Sequence, residues 1–159
     1  MNATRGNLMG LFDSIAKSDS IIKSSEVTFS PTEAMSALVL SIVIVDGDLA
    51  DEEVRLIIHS LGRMQLFRSY SEDMLINLLN KAMGTLKRRG FKKVLDAAVE
   101  SLPHYLHETA FAVATDLVLA DGEVTEEEEN VLTYLSQTLN VSENTAQEIV
   151  RSLLIKNKG

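Results

Sequence analysis

The sequence has no cysteine and no tryptophan, and only two prolines and eight glycines among 159 residues. Without cysteine there can be no disulfide, thiolate zinc site, iron–sulfur cluster or cysteine nucleophile, and this composition fits a reducing compartment. The first ten residues lack the basic and apolar segments of a secretory signal. The longest apolar run is broken by Ser41 and ends before Asp46. We therefore expect no secretion leader and no membrane insertion.

The net charge of −8 is concentrated in two short segments. Residues 46–53 contain five acidic residues, residues 121–129 contain six, and neither segment contains a base. The rest of the chain has 12 acids against 15 bases. Focused acidic segments favour a cation as ligand, whereas an acidic surface repels nucleic acid. The one basic cluster, residues 87–93, contains a single aromatic residue for base stacking, so we expect no nucleic-acid partner.

The dominant hydrophobic period is helical, which predicts an all-α fold. We expect a single compact helical domain of about seven to eight helices with two pseudo-repeated halves. Residues 31–159 are predicted to form this globular unit, and residues 1–30 an N-terminal helix and polar linker. The N-terminal helix is predicted over about residues 6–17, with one apolar face made of Leu8, Leu11, Phe12 and Ile15.

Helix starts are marked by capping residues. Ser30-Pro31-Thr32-Glu33 combines a serine cap, a proline in the first turn and a glutamate at the capping-box position. Ser71 and Ser142 are further candidate caps. Helices are predicted over about residues 31–45, 51–67, 71–89, 91–102, 103–120, 126–139 and 142–156.

An internal repeat relates the two halves of the chain. Residues 37–49 and 112–124 are similar at a spacing of 75 residues, and each segment contains Asp-Gly where its helix is predicted to end. The acidic trios at 51–53 and 126–128 fall in the same register. A period of this length is too long for a solenoid. It predicts two related halves whose central helices lie side by side.

The acidic corners have a structural interpretation. A glycine just past a helix end adopts conformations that cost other residues more. Leu49 and Val124, which follow the two turns, would pack back into the core. Glu53 and Glu128 would occupy the third position of the next helix, with Thr125 as the capping-box partner of Glu128.

A divalent-cation site is the alternative interpretation of the same residues. Asp-Gly-x-apolar-x-x-x-Glu matches the second half of an EF-hand loop. A true EF-hand is excluded, because its earlier ligand positions would fall on aliphatic residues, Ile42 and Ile44 or Leu117 and Leu119. A shared site remains open, in which each half supplies an aspartate, a second acid and a glutamate.

The duplicated helix ending in Asp-Gly, with a glutamate seven residues after each Asp, resembles the TerB family of tellurite-resistance proteins over roughly residues 32–154. The resemblance implies a cytoplasmic, all-helical, non-enzymatic stress-response protein that binds a divalent metal cation. It assigns the metal-ligand role to Asp46, Asp48, Glu53, Asp121, Glu123 and Glu128. Carboxylate oxygens suit calcium, magnesium or manganese, with zinc as an intermediate case. The alternative function is a structural protein–protein interaction module whose acidic corners are only helix caps.

For the other candidate residues, structural roles are favoured over catalytic or metal-binding ones. No serine–histidine–acid arrangement or glycine-rich phosphate loop is present, so we predict no enzyme. His104 and His107 could touch one metal, but surface or capping positions are favoured. Asp116, in an otherwise apolar helix, is expected to be hydrogen-bonded or solvated rather than part of the acidic cluster.

Overall fold

The computed structural model describes residues 27–44, 49–120 and 124–158. Within these ranges the chain forms seven α-helices and two short 3-10 helices, with no strand. The α-helices are α1 (Pro31–Val43), α2 (Asp51–Gly62), α3 (Glu72–Arg89), α4 (Phe91–Ser101), α5 (His107–Val118), α6 (Glu126–Thr138) and α7 (Glu143–Lys156). The 3-10 helices cover Gln65–Phe67 and His104–Leu106. The all-α prediction is confirmed, while the helix predicted at residues 6–17 lies outside the described residues.

The predicted caps form at the helix starts. The Ser30 hydroxyl accepts from the Glu33 amide at 3.3 Å, and the Glu33 carboxylate accepts from the Ser30 amide at 2.9 Å. Ser71 and Ser142 each accept from the amide of the third residue of α3 and α7, at 3.1 and 3.2 Å. These bonds satisfy amides that have no carbonyl partner within the helix.

Helix α1 is the centre of the core. Nine of its 13 residues are buried, and it packs against α3, α4 and α5. Its buried hydroxyl groups are satisfied locally, because Ser36 and Ser41 donate to the carbonyls of Thr32 and Ala37 one turn earlier, at 2.9 and 2.7 Å. As predicted, α1 lies beside its repeat counterpart α5.

The repeat also sets the helix boundaries. Helices α1 and α5 end at Val43 and Val118, and α2 and α6 begin at Asp51 and Glu126, each pair separated by the same 75 residues. The halves therefore share the ends of their central helices and the starts of the helices that follow. None of the described helices is long and apolar enough to cross a membrane.

The helix predicted over residues 51–67 is shorter in the structure. Helix α2 ends at Gly62, and Met64 has an extended backbone (ψ 143°) before the first 3-10 helix. This break places Phe67 in the core, 1% exposed, with its ring edge-on to Tyr70 at 5.3 Å. The Tyr70 hydroxyl in turn forms a hydrogen bond of 2.9 Å with Thr32 at the start of α1. The tertiary contacts of Phe67 and Tyr70 therefore favour this break over a longer α2.

The helix predicted over residues 103–120 begins later, at His107. Pro103 is extended (ψ 140°), and the Leu106 amide donates to the Pro103 carbonyl at 2.9 Å, which is the short turn of a 3-10 helix. Proline lacks an amide hydrogen and fixes its own φ, so it can open this turn without losing a hydrogen bond.

Candidate functional site

A cleft of about 360 Å³ lies between the two halves of the repeat. The last residues of α1 and α5 and the first turns of α2 and α6 line it. Three carboxylates belong to this lining: Glu52 and Glu53 from α2, and Glu128 from α6. Packing α1 beside α5 therefore brings Glu53 and Glu128, one from each half, to the same cleft.

Glu128 forms a complete capping box with Thr125. The Thr125 hydroxyl accepts from the Glu128 amide at 3.1 Å, and Glu128 Oε1 accepts from the Thr125 amide at 3.0 Å. Glu128 is 5% exposed, which is unusual for a carboxylate in a protein of net charge −8. The predicted capping role of Glu128 is confirmed.

Glu53 repeats this arrangement incompletely. Its Oε1 accepts from the Ala50 amide at 3.1 Å, but Ala50 has no side-chain oxygen to return a hydrogen bond. Glu53 is half-buried. The two glutamates therefore hold the same helix position and the same backbone contact, while the residue before each helix differs.

The remaining predicted metal ligands, Asp46, Asp48, Asp121 and Glu123, lie outside the described residues. The chain on either side of them is described: Ala50 and Ala120 line the cleft, and Leu49 and Val124 pack against the core as predicted. Among the described residues alone, no group of three histidine or acidic side chains is placed to hold a metal ion.

Glu52 is a cleft residue that the sequence did not single out. It is the middle member of the acidic trio at 51–53, whose register with 126–128 was visible. The register does not show which member of the trio faces the cleft, because the direction of each side chain depends on how α2 packs.

Asp116 has the hydrogen-bonded role that was favoured for it. Its carboxylate accepts from Asn157 Nδ2 at 2.9 Å and from Lys156 Nζ at 3.4 Å. Asp116 therefore connects α5 to the end of α7, and it is not part of the cleft lining.

His107 also has a structural position. Its ring lies 5.1 Å from that of His104, but its own nitrogens face backbone oxygens: Nδ1 is 2.9 Å from the Leu139 carbonyl and Nε2 is 3.1 Å from the Leu102 carbonyl. The ring thus joins the ends of α4 and α6 at the start of α5. This agrees with the structural role predicted for the histidine pair.

Comparison with known protein families shows which family has this sequence pattern. A family model described as tellurite resistance protein TerB matches residues 32–151, which is most of the chain. The chain belongs to the TerB family. The matched TerB region contains α1 except Pro31, all of α2 to α6, most of α7, both acidic corners and the cleft, and it begins after the N-terminal segment. No curated protein and no solved structure matches the chain.

Proposed function

We propose that this TerB protein binds one divalent metal cation between its two acidic corners and acts without catalysis in tellurite resistance or a related stress response. The proposed ligands are Asp46, Asp48, Glu53, Asp121, Glu123 and Glu128. The main observation behind the proposal is that Glu53 and Glu128, which are 75 residues apart in the chain, both line one cleft.

Charge supports a cation at this place. Eleven of the 23 acidic residues belong to the two corner segments, and Ala50 and Ala120, one near each corner, line the cleft. Carboxylates that share a cleft repel one another unless a cation, solvent or a changed protonation state relieves the repulsion. An acidic cleft also repels an oxyanion such as tellurite, so a cation is the proposed ligand.

The capping role of the glutamates is compatible with a ligand role. An ionised carboxylate has two oxygens and about four acceptor positions, so a carboxylate that caps a helix can also bind a cation. The hydrogen bond from the Ala50 or Thr125 amide fixes the direction of the carboxylate. Oriented carboxylate oxygens suit calcium, magnesium or manganese, and zinc less strictly.

The second candidate function is a protein–protein interaction module whose corners are only helix caps. The complete capping box at α6 favours it, because that box accounts for Thr125 and Glu128 without any ligand. If the corners are only caps, removing their charges should leave the affinity of the protein for cations unchanged, and added cations should not stabilise the fold.

Glu→Gln substitutions separate the two functions. Glutamine can serve at the third position of a capping box but carries no charge. In calorimetric titration of metal-stripped protein with calcium, magnesium, manganese and zinc, Glu53→Gln and Glu128→Gln should each weaken the cation affinity by about tenfold or more, about 1.4 kcal/mol. Glu72→Gln, an exposed glutamate in the first turn of α3, is the matched control and should leave the affinity unchanged.

Two results would reject the metal site. One is the absence of binding heat with all four ions at protein concentrations suited to micromolar affinity. The other is an affinity that both cleft variants leave equal to that of the Glu72→Gln control. Either result supports the interaction module instead.

A further inference from the structure

A second, larger groove lies between α6 and α7, with a volume of about 990 Å³. Both helices pack on α5, and Phe111 of α5 contributes to the groove lining. Leu132 and Val150 line its sides, and Leu154 and Ile155 extend the apolar surface along α7. Leu154 is 36% exposed and Ile155 is 60% exposed. A groove of this size with apolar residues along its floor and along α7 is typical of an interaction site.

Helix α7 supports the interpretation that this groove is covered. None of its 14 residues is fully buried, although Ala146, Ile149, Val150 and Leu153 pack against the core. The apolar surface of α7 is therefore wider than the part of that surface that packs against α5. Polar residues at the groove, among them Gln137 and Gln147, give it the polar border expected of a groove that receives an amphipathic helix.

The chain itself contains a segment of matching chemistry. Twenty-six residues precede the described part, and the family match begins only at residue 32. The sequence predicts a helix over about residues 6–17 with one apolar face, Leu8, Leu11, Phe12 and Ile15. A helix of about 12 residues is marginal by itself in water, and an apolar stripe requires a surface to pack against.

A series of contacts links the point where this segment joins the domain to the end of α6, which borders the groove. The Phe29 amide donates to Ser101 Oγ at 3.2 Å, at the end of α4. The neighbouring Leu102 carbonyl and the Leu139 carbonyl both bond to the His107 ring, so this ring connects the end of α4 to the end of α6. Val141, two residues after Leu139, lines the groove.

The lengths agree with this placement. The linker of nine residues, 18–26, can span up to about 30 Å when extended. A helix over residues 6–17 would be about 18 Å long, comparable to the length of the 13-residue α6 that borders the groove.

We propose that the apolar face of the N-terminal segment, residues 6–17, docks as a helix into the groove between α6 and α7 of its own chain. The segment then covers the exposed side of α7, including Leu154 and Ile155. This proposal is independent of cation binding, since no described residue lines both the groove and the acidic cleft.

Spin labelling of the full chain tests the proposal, and the absence of cysteine allows a single label without background. A nitroxide at Ser14→Cys lies beside the predicted apolar face of the segment, not on it. The amide signals of groove residues, such as Gln137, Gln147 and Arg151, should lose most of their intensity relative to the reduced label. The amide of Asp73, on α3, should keep its intensity.

Two further variants, each combined with the label, report on the contact surfaces. Leu11→Asp places a charge on the segment, and Leu154→Asp places one in the groove; each should restore the groove signals. Met74→Asp is the matched control, because Met74 is a 46% exposed apolar residue of α3 outside the groove, and it should not restore them. Unchanged groove signals in the singly labelled protein would overturn the proposal. Broadening that survives both Leu11→Asp and Leu154→Asp would also overturn it.

A mixture of isotope-labelled chains without nitroxide and unlabelled chains with nitroxide identifies the occupant. The proposal requires that the groove signals stay intact in this mixture. Broadening that appears in the mixture as strongly as in the single-chain sample would assign the groove to a second copy and overturn intramolecular docking.

Discussion

Glu53 and Glu128 hold the third position of α2 and α6, and each directs one carboxylate oxygen to the amide before its helix, at 3.1 and 3.0 Å. Both also line the cleft between the two halves. Each glutamate therefore caps its own helix. The tertiary packing also places these two acids, which come from distant sequence segments, at one surface.

The first prediction concerns the unequal caps. Thr125→Ala removes the hydroxyl that accepts from the Glu128 amide, so the free energy of unfolding should fall by about 1 kcal/mol. Ala50→Thr supplies the missing hydroxyl at the equivalent position of α2 and should raise that free energy by up to about 1 kcal/mol. Urea denaturation of metal-free protein measures both. Equal destabilisation by the two substitutions would contradict the assignment of an incomplete cap at α2.

The second prediction concerns His107. Replacing its ring with alanine removes the contacts to the Leu139 and Leu102 carbonyls and leaves partly buried acceptors without that partner. The free energy of unfolding should decrease by about 1–3 kcal/mol in urea denaturation. His104→Ala is the control: His104 is exposed, and its loss should change stability by about 0.5 kcal/mol or less. Equal effects of the two substitutions would show that the His107 contacts do not stabilise the fold.

The third prediction concerns the pKa of Glu33. The hydrogen bond from Lys81, followed by the bond from the Ser30 amide, lowers the pKa of this carboxyl below its ordinary value. Because the folded-state pKa is depressed, the stabilisation is present above the ordinary pKa near 4.5 and is lost as the pH falls through the lowered folded-state value. Lys81→Met should raise the pKa of Glu33 in an NMR titration of the side-chain carboxyl.

Lys87→Met is the control for this titration, because Lys87 is exposed at the end of the same helix and makes no ion pair with Glu33 among the described contacts. It should leave the Glu33 pKa in place. A Glu33 pKa that does not respond to Lys81→Met would show that the ion pair is not maintained in solution.

Helix starts were predictable because they depend on local chemistry. Ser30, Ser71, Thr125 and Ser142 all accept hydrogen bonds from the first turn of the helix that follows. The end of α2 was not predictable in the same way. Leu61, Met64 and Phe67 keep helical spacing, so the periodicity continues past Gly62, whereas the break depends on the contacts of Phe67 and Tyr70.

The candidate site was predictable only in part. The repeat identified Glu53 and Glu128 as equivalent residues, and the capping pattern identified their local role. That they line one cleft depends on the packing of α1 beside α5, which the repeat suggested but could not position. Glu52 required the structure, because its place in the lining depends on the orientation of α2. The metal-ligand assignment itself stays a prediction.

The central claim is that both halves contribute ligands to one cation, and a double-mutant cycle on metal binding tests it most directly. Calorimetric titration of the wild type, Asp46→Asn, Asp121→Asn and the double variant gives the stoichiometry and the affinity for the preferred divalent cation. The account predicts one cation per chain, weaker binding in each single variant, and a loss in the double variant smaller than the sum of the two single losses, because ligands of one ion act as a unit. Two cations per chain with additive losses, or an affinity that neither substitution changes, would contradict it.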